Sequence, residues 1–155
     1  MKNLLLIALL FISALGYAQS NKEEVDLFQS LYGMDKKSLV AEFIKLQGAQ
    51  KDEFWKLYDA YEVERKAIGK DRIKLLEKYA STYATMDETM MDDIMKSAME
   101  LSSNTDKLQA SYYGKIKKSV GIKPAAQFLQ LESYLSAAIR AAILEEIPFI
   151  GEMDK

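Results

Sequence analysis

The chain has 155 residues with 21 basic and 23 acidic side chains, a formal net charge of −2, and neither histidine nor cysteine. That length suits one domain with a real core, and mild acidity argues against a nucleic-acid surface, which needs concentrated basic charge. Without His or Cys there is no disulfide, thiolate nucleophile, Ser-His-Asp triad or ordinary zinc site, and neither a Gly-rich phosphate loop nor a Ser-x-x-Lys motif occurs. The chain is therefore expected to be non-enzymatic, with no cofactor and no metal site.

The N-terminus reads as a secretory signal over residues 1–18. Lys2 precedes an apolar run from Leu4 to Leu15, and Gly16-Tyr17-Ala18 offers small residues for cleavage after Ala18. The run is too short for a comfortable membrane span, so a periplasmic location is expected for the mature chain. Residues 19–34 read as a polar start and a short helix carrying Val25, Leu27, Phe28 and Leu31, stopped by Gly33. Residues 35–150 form the remaining helical domain.

Asp35 fits the N-cap of a second short helix carrying Leu39, Val40, Phe43, Ile44 and Leu46, interrupted at Gly48. A long helix is predicted from about Ala49 to Tyr83. Phe54, Tyr58, Tyr61, Arg65, Ile68, Arg72, Leu75 and Tyr79 fall at alternating steps of four and three, a coiled-coil-like seam broken by two arginines. Thr85 and Glu88 fit a capping box for the next helix, which runs to about Val120. Its seam is Met91, Ile94, Ala98, Leu101, Thr105, Leu108, Tyr112 and Ile116. Gly121 suits the C′ position, and Pro124 the first residue of a final helix that Pro148 ends. No stretch alternates in the strand manner. The predicted fold is all-α, an elongated hairpin of two long helices with shorter flanking helices.

Several constellations have two or more readings. Met86, Met90, Met91, Met95 and Met99 crowd one helix, where they would fill an irregular core, offer an adaptable apolar surface, or bind Cu(I) through thioethers. Asp87, Glu88, Asp92 and Asp93 suit a solvated face better than a calcium loop, because a helix does not converge six oxygens. The tyrosines fit either a binding surface or core-edge positions with wet hydroxyls. Arg65 and Arg72 either pair with acids on a neighbouring helix or line a concave surface where charge sits among apolar groups.

Two segments resemble the paired signatures of the Spy/CpxP family, whose hallmark is the LTxxQ motif. The first is Leu46-Gln47-Gly48-Ala49-Gln50 after Lys36–Glu42, with Leu46 and Gln50 at the motif's ends and Gln47 where its Thr would stand. The second is Ile122-Lys123-Pro124-Ala125-Ala126, leading into Phe128–Glu132. This resemblance implies a hooked helical hairpin of a kind that often dimerises into a cradle. It also implies an ATP-independent chaperone or an envelope-stress protein.

The expected function is thus an exported binding protein that holds unfolded or stressed envelope proteins on an amphipathic surface, through Tyr58, Tyr61, Arg65, Arg72, Met91 and Met95. The alternative is an accessory that docks on a membrane stress sensor; a third reading is methionine-based metal buffering. With Gln47 and Lys123 in place of capping residues, the two motif helices are expected to start with frayed or substitute caps.

Overall fold

The computed structural model describes residues 34–152. The signal-peptide reading and the short helix through Leu31 lie outside the described residues. Within them the fold is all-helical, with two long helices and no strand. The helices are α1 (Lys36–Phe43), α2 (Gly48–Thr82), α3 (Glu88–Ser119) and α4 (Ile122–Glu146), with a 3-10 turn at Tyr83–Thr85 between α2 and α3.

Contacts fix the directions. Gln50 of α2 reaches Val120 at the end of α3, Glu64 meets Tyr112, and Arg72 meets Thr105, so α2 and α3 are antiparallel. Gln109 of α3 bonds Ser136 of α4, and Ser102 bonds Arg140, so those two are antiparallel as well. The result is an up-down-up body, with α2 about 50 Å long at 1.5 Å per residue. The expected hairpin is present, but α4, at 25 residues, packs along it as a third member rather than as a short flank.

The ends follow local chemistry. Asp35 caps α1 as predicted, accepting from the Ser38 amide at 3.0 Å, though α1 stops at Phe43 rather than carrying on to Leu46. Ile44 turns extended there and buries its side chain. The Thr85 capping box is not formed. Thr85 belongs to the 3-10 turn, and Asp87 takes the N-cap of α3 instead, accepting from the Met90 amide at 2.8 Å. A carboxylate is the better cap, and beginning two residues later leaves Glu88 in the first turn, where the helix dipole favours it.

At the other end of α3, the Val120 and Gly121 amides both donate to the Ile116 carbonyl. Gly121 has φ +130°, a conformation side chains other than glycine's rarely adopt. Pro124 is the third residue of α4 rather than the first; its missing amide costs nothing anywhere in a first turn. Ile147 leaves the helix, as a residue before proline tends to.

The apolar core is concentrated at one end. Val40, Ile44, Phe54, Tyr58, Tyr61, Tyr112, Ile116 and Phe128 form one buried cluster joining all four helices. Phe128 stands edge-on to Tyr61 with ring centroids 5.0 Å apart, and Tyr61 edge-on to Tyr112 at 5.5 Å. Each fully buried side chain of this size contributes about 1.5–3 kcal/mol. Towards the other end apolar burial is sparser: Leu135 and Ile139 form a small cluster with Leu39, Leu131 and Ile143 packed beside them, and Tyr79 and Ile94 are buried outside it.

Candidate functional site

One acid lies inside the aromatic core. Phe128, Glu132, Leu135 and Ile139 follow the inward seam of α4 at steps of four and three, so Glu132 is carried into the interior and is 1% exposed. Its carboxylate accepts from the Tyr61 hydroxyl at 2.8 Å and the Tyr58 hydroxyl at 3.1 Å, and from Lys36 Nζ at 2.7 Å. Lys36 also donates to Glu62 at 2.7 Å, and Glu62 in turn holds Arg65 through two bonds of 2.7 and 3.1 Å. Two acids and two bases thus alternate across α1, α2 and α4. No buried side-chain nitrogen or oxygen among the described residues lacks a partner.

The electrostatics follow from that alternation. Burial by itself would raise the Glu62 pKa, but the charges and hydrogen bonds of Lys36 and Arg65 outweigh it and hold the group at about 2. Burial pushes the Tyr58 and Tyr61 hydroxyls well above the usual phenol range, and the negative charge of Glu132 adds to it. Tyr112 is raised to about 12 by burial and by its hydrogen bond to Glu64. Tyr58 and Tyr61 are donors that stay protonated, so they act as fixed clamps on Glu132, while Tyr112 does the same for Glu64.

This overturns one part of the surface reading. Tyr58 and Tyr61, expected to meet a client, are fully buried, because their hydroxyls find an internal acceptor and need no solvent. Arg65 and Arg72 are half-buried. Arg65 pairs with Glu62 on its own helix, and Arg72 donates to the Thr105 hydroxyl of α3 at 3.3 Å.

Compared with protein-family models, curated proteins and solved structures, the chain matches none.

Beyond the ionic cluster the interior turns polar. A cleft of about 90 Å³ is lined by Arg72, Ser102, Thr105, Gln109, Ser133 and Arg140, among others. Gln109 donates to Ser136 at 3.0 Å and accepts from Ser133 at 3.1 Å, and Arg140 donates to Ser102 at 3.2 Å. The cleft is well below the roughly 300–1,000 Å³ of pockets that enclose small molecules.

The methionines precede Ser102 of this cleft along the chain. Met86, Met90 and Met91 are half-buried, whereas Met95 and Met99 are exposed, so the core-filling reading fails for the last two. Met95, Met99, Ser102 and Asp106 succeed one another at steps of three or four, forming one stripe on α3. Because Ser102 meets Arg140, the antiparallel register sets Met99 one turn along from Ser102 and the exposed Leu144 one turn along from Arg140. An apolar edge of flexible side chains therefore runs beside an arginine-bearing cleft. Asp92 pairs with Lys96, and no acidic group among the described residues converges as a metal site would.

The motif positions meet near the packed end. Gln47 is the N-cap of α2 without a side-chain hydrogen bond, and Gly121 serves α4 likewise, so both entrances lack the side-chain cap that a Thr would supply. Gln50 donates to the Val120 carbonyl at 3.1 Å, tying the α2 entrance to the α3 exit. Leu46 packs on the core and Pro124 is buried, while Ile122 is exposed. Composition and period alone could have flagged Glu132, an acid on an apolar seam, but not its partner Lys36, 96 residues earlier.

Proposed function

We propose that this chain is an exported, non-enzymatic binding protein that holds partly unfolded polypeptides along the α3–α4 edge. The observation that carries the reading is the exposed run of Met95, Met99 and Leu144 beside the cleft of Arg72 and Arg140. Methionine is unbranched and polarisable, so it adapts to many apolar shapes, and neighbouring guanidiniums attract acidic stretches of a client. Arg72 keeps its role from the sequence reading as charge among apolar groups, Arg140 joins it from α4, and Met95 and Met99 supply the contact. The likeness of the Leu46–Gln50 and Ile122–Ala126 segments to the Spy/CpxP pattern supports the same assignment.

The test is an aggregation assay with the mature chain at stoichiometric amounts over a chemically reduced client. The expected result is delayed aggregation that the Met95→Lys/Met99→Lys variant loses, with its urea midpoint unchanged. No delay, or a delay the variant retains, defeats the proposal. Recovery of one saturable membrane sensor from envelope extract, with no effect on aggregation, would establish the signalling-accessory reading instead.

A further inference from the structure

The two ends of the body carry opposite charge. At the packed end α1 and α3 finish and α2 and α4 begin, tied by Gln50 to the Val120 carbonyl and by Gln127 to the Phe43 carbonyl. Lys45, Lys51, Lys115, Lys117, Lys118 and Lys123 are exposed there, and among the described residues none of the six forms an ion pair. Residues 107–131 hold five lysines and no acid; the acids of this end, Glu42, Asp52 and Glu53, belong to α1 and α2. At the opposite end Asp87, Glu88, Glu145, Glu146 and Glu152 are exposed. The Tyr79 and Tyr83 hydroxyls hold the chain after α4 there, on the Pro148 and Phe149 carbonyls.

α4 carries this segregation against its own dipole. Lys123 stands in its first turn and Glu145 and Glu146 in its last, where the opposite signs are favoured, and Lys51 likewise closes the first turn of α2. Helix stability therefore does not account for these charges. The basic end also exposes two large apolar side chains, Ile122 at 59% and Phe43 at 45%.

We propose that this end docks on a bilayer containing anionic phospholipid, with the lysines on headgroup phosphates, Phe43 and Ile122 entering the interface and the acidic end held away. Cations beside exposed apolar groups are the pairing that anchors a protein at such a surface. Lysine is a flexible point charge suited to a diffuse layer of phosphates. Arginine's planar fork suits the fixed carboxylates of a protein partner, and the three arginines of the chain, Arg65, Arg72 and Arg140, lie elsewhere. The inference is independent of client holding, whose Met95 and Leu144 lie towards the acidic end.

The test is co-sedimentation of the mature chain with vesicles of equal phosphatidylglycerol and phosphatidylcholine, against phosphatidylcholine alone. The expected result is binding to the anionic vesicles only, weakening at least about tenfold between about 50 and 200 mM salt. Lys45→Gln/Lys118→Gln/Lys123→Gln should weaken it about a hundredfold. Lys66→Gln/Lys78→Gln/Lys107→Gln, which removes the same charge from exposed positions away from this end, should change it less than about threefold. The absence of cysteine allows one fluorescent label per variant. A label at Ser119→Cys should be quenched by nitroxide lipid, and one at Thr85→Cys should not. No binding to anionic vesicles, equal binding to neutral ones, equal loss in the two triple variants, or quenching at Thr85→Cys overturns the proposal. So does self-association without vesicles that the first triple variant loses, which would put the acidic end of a second copy in the lipid's place.

Discussion

Replacing Glu132 with leucine tests the logic of the interior directly. The substitution removes the acceptor of two buried phenols and one ammonium while keeping the side chain's bulk. Lys36 retains Glu62 at 2.7 Å, so its loss is partial. Each stranded hydroxyl costs about 1–3 kcal/mol, and breaking one side of a buried ion pair costs about 3–5 kcal/mol when nothing replaces it. With Glu62 remaining, a net loss of about 4 kcal/mol is expected. That is a large share of the roughly 5–15 kcal/mol that holds a domain of this size. Urea titration of the mature chain at low temperature reads it.

The decisive comparison is Tyr58→Phe/Tyr61→Phe/Glu132→Leu, which removes the donors together with the acceptor. Each tyrosine change alone should cost about 1 kcal/mol, yet the triple variant should lie within about 2 kcal/mol of the native chain, because an apolar replacement of a whole buried network is tolerated. Glu132→Leu costing less than about 1 kcal/mol, or a triple variant equal to the sum of its parts, would refute the reasoning.

Three other outcomes follow from the same geometry. Glu62 titrates near 4.5 when unfolded and about 2 when folded, so its contribution of roughly 3 kcal/mol is complete above the unfolded value and is lost as pH falls from 4.5 towards 2; urea midpoints should drop across that window, and Glu62→Gln should flatten the drop. Gly121→Ala should cost about 1–3 kcal/mol in thermal denaturation through backbone strain alone, since a Cβ there meets Pro124 only at an ordinary 3.9 Å. Asp87→Ala should cost about 1 kcal/mol by the same measurement and Thr85→Ala close to none, reversing the ranking the capping-box reading gives.

The long helices were legible because their seams repeat at three and four over many turns. Phe54, Tyr58, Tyr61 and Tyr79 in α2, and Ile94, Thr105, Tyr112 and Ile116 in α3, are buried where the period puts them. Ends were less legible, since Thr85 and Asp87 both make acceptable caps and only the 3-10 turn chooses between them. The site was read in part. A period shows which face a tyrosine occupies, not whether an acceptor waits inside, and Glu132 supplies one from another helix. The methionine run likewise names a helix but not its outer face; that came from the pairing of Ser102 with Arg140.

The uneven distribution of the core has a mechanical consequence. Four helices interlock around Phe54, Tyr61 and Phe128, whereas serines, a glutamine and arginines separate the helices further along. Such a body is stiffest where the aromatic rings meet. At the opposite end the Tyr83–Thr85 turn keeps α2 and α3 together, so the last turns of α4, moored there by the Tyr79 and Tyr83 hydroxyls on the Pro148 and Phe149 carbonyls, are the part that polar contacts exchanged for water would loosen first.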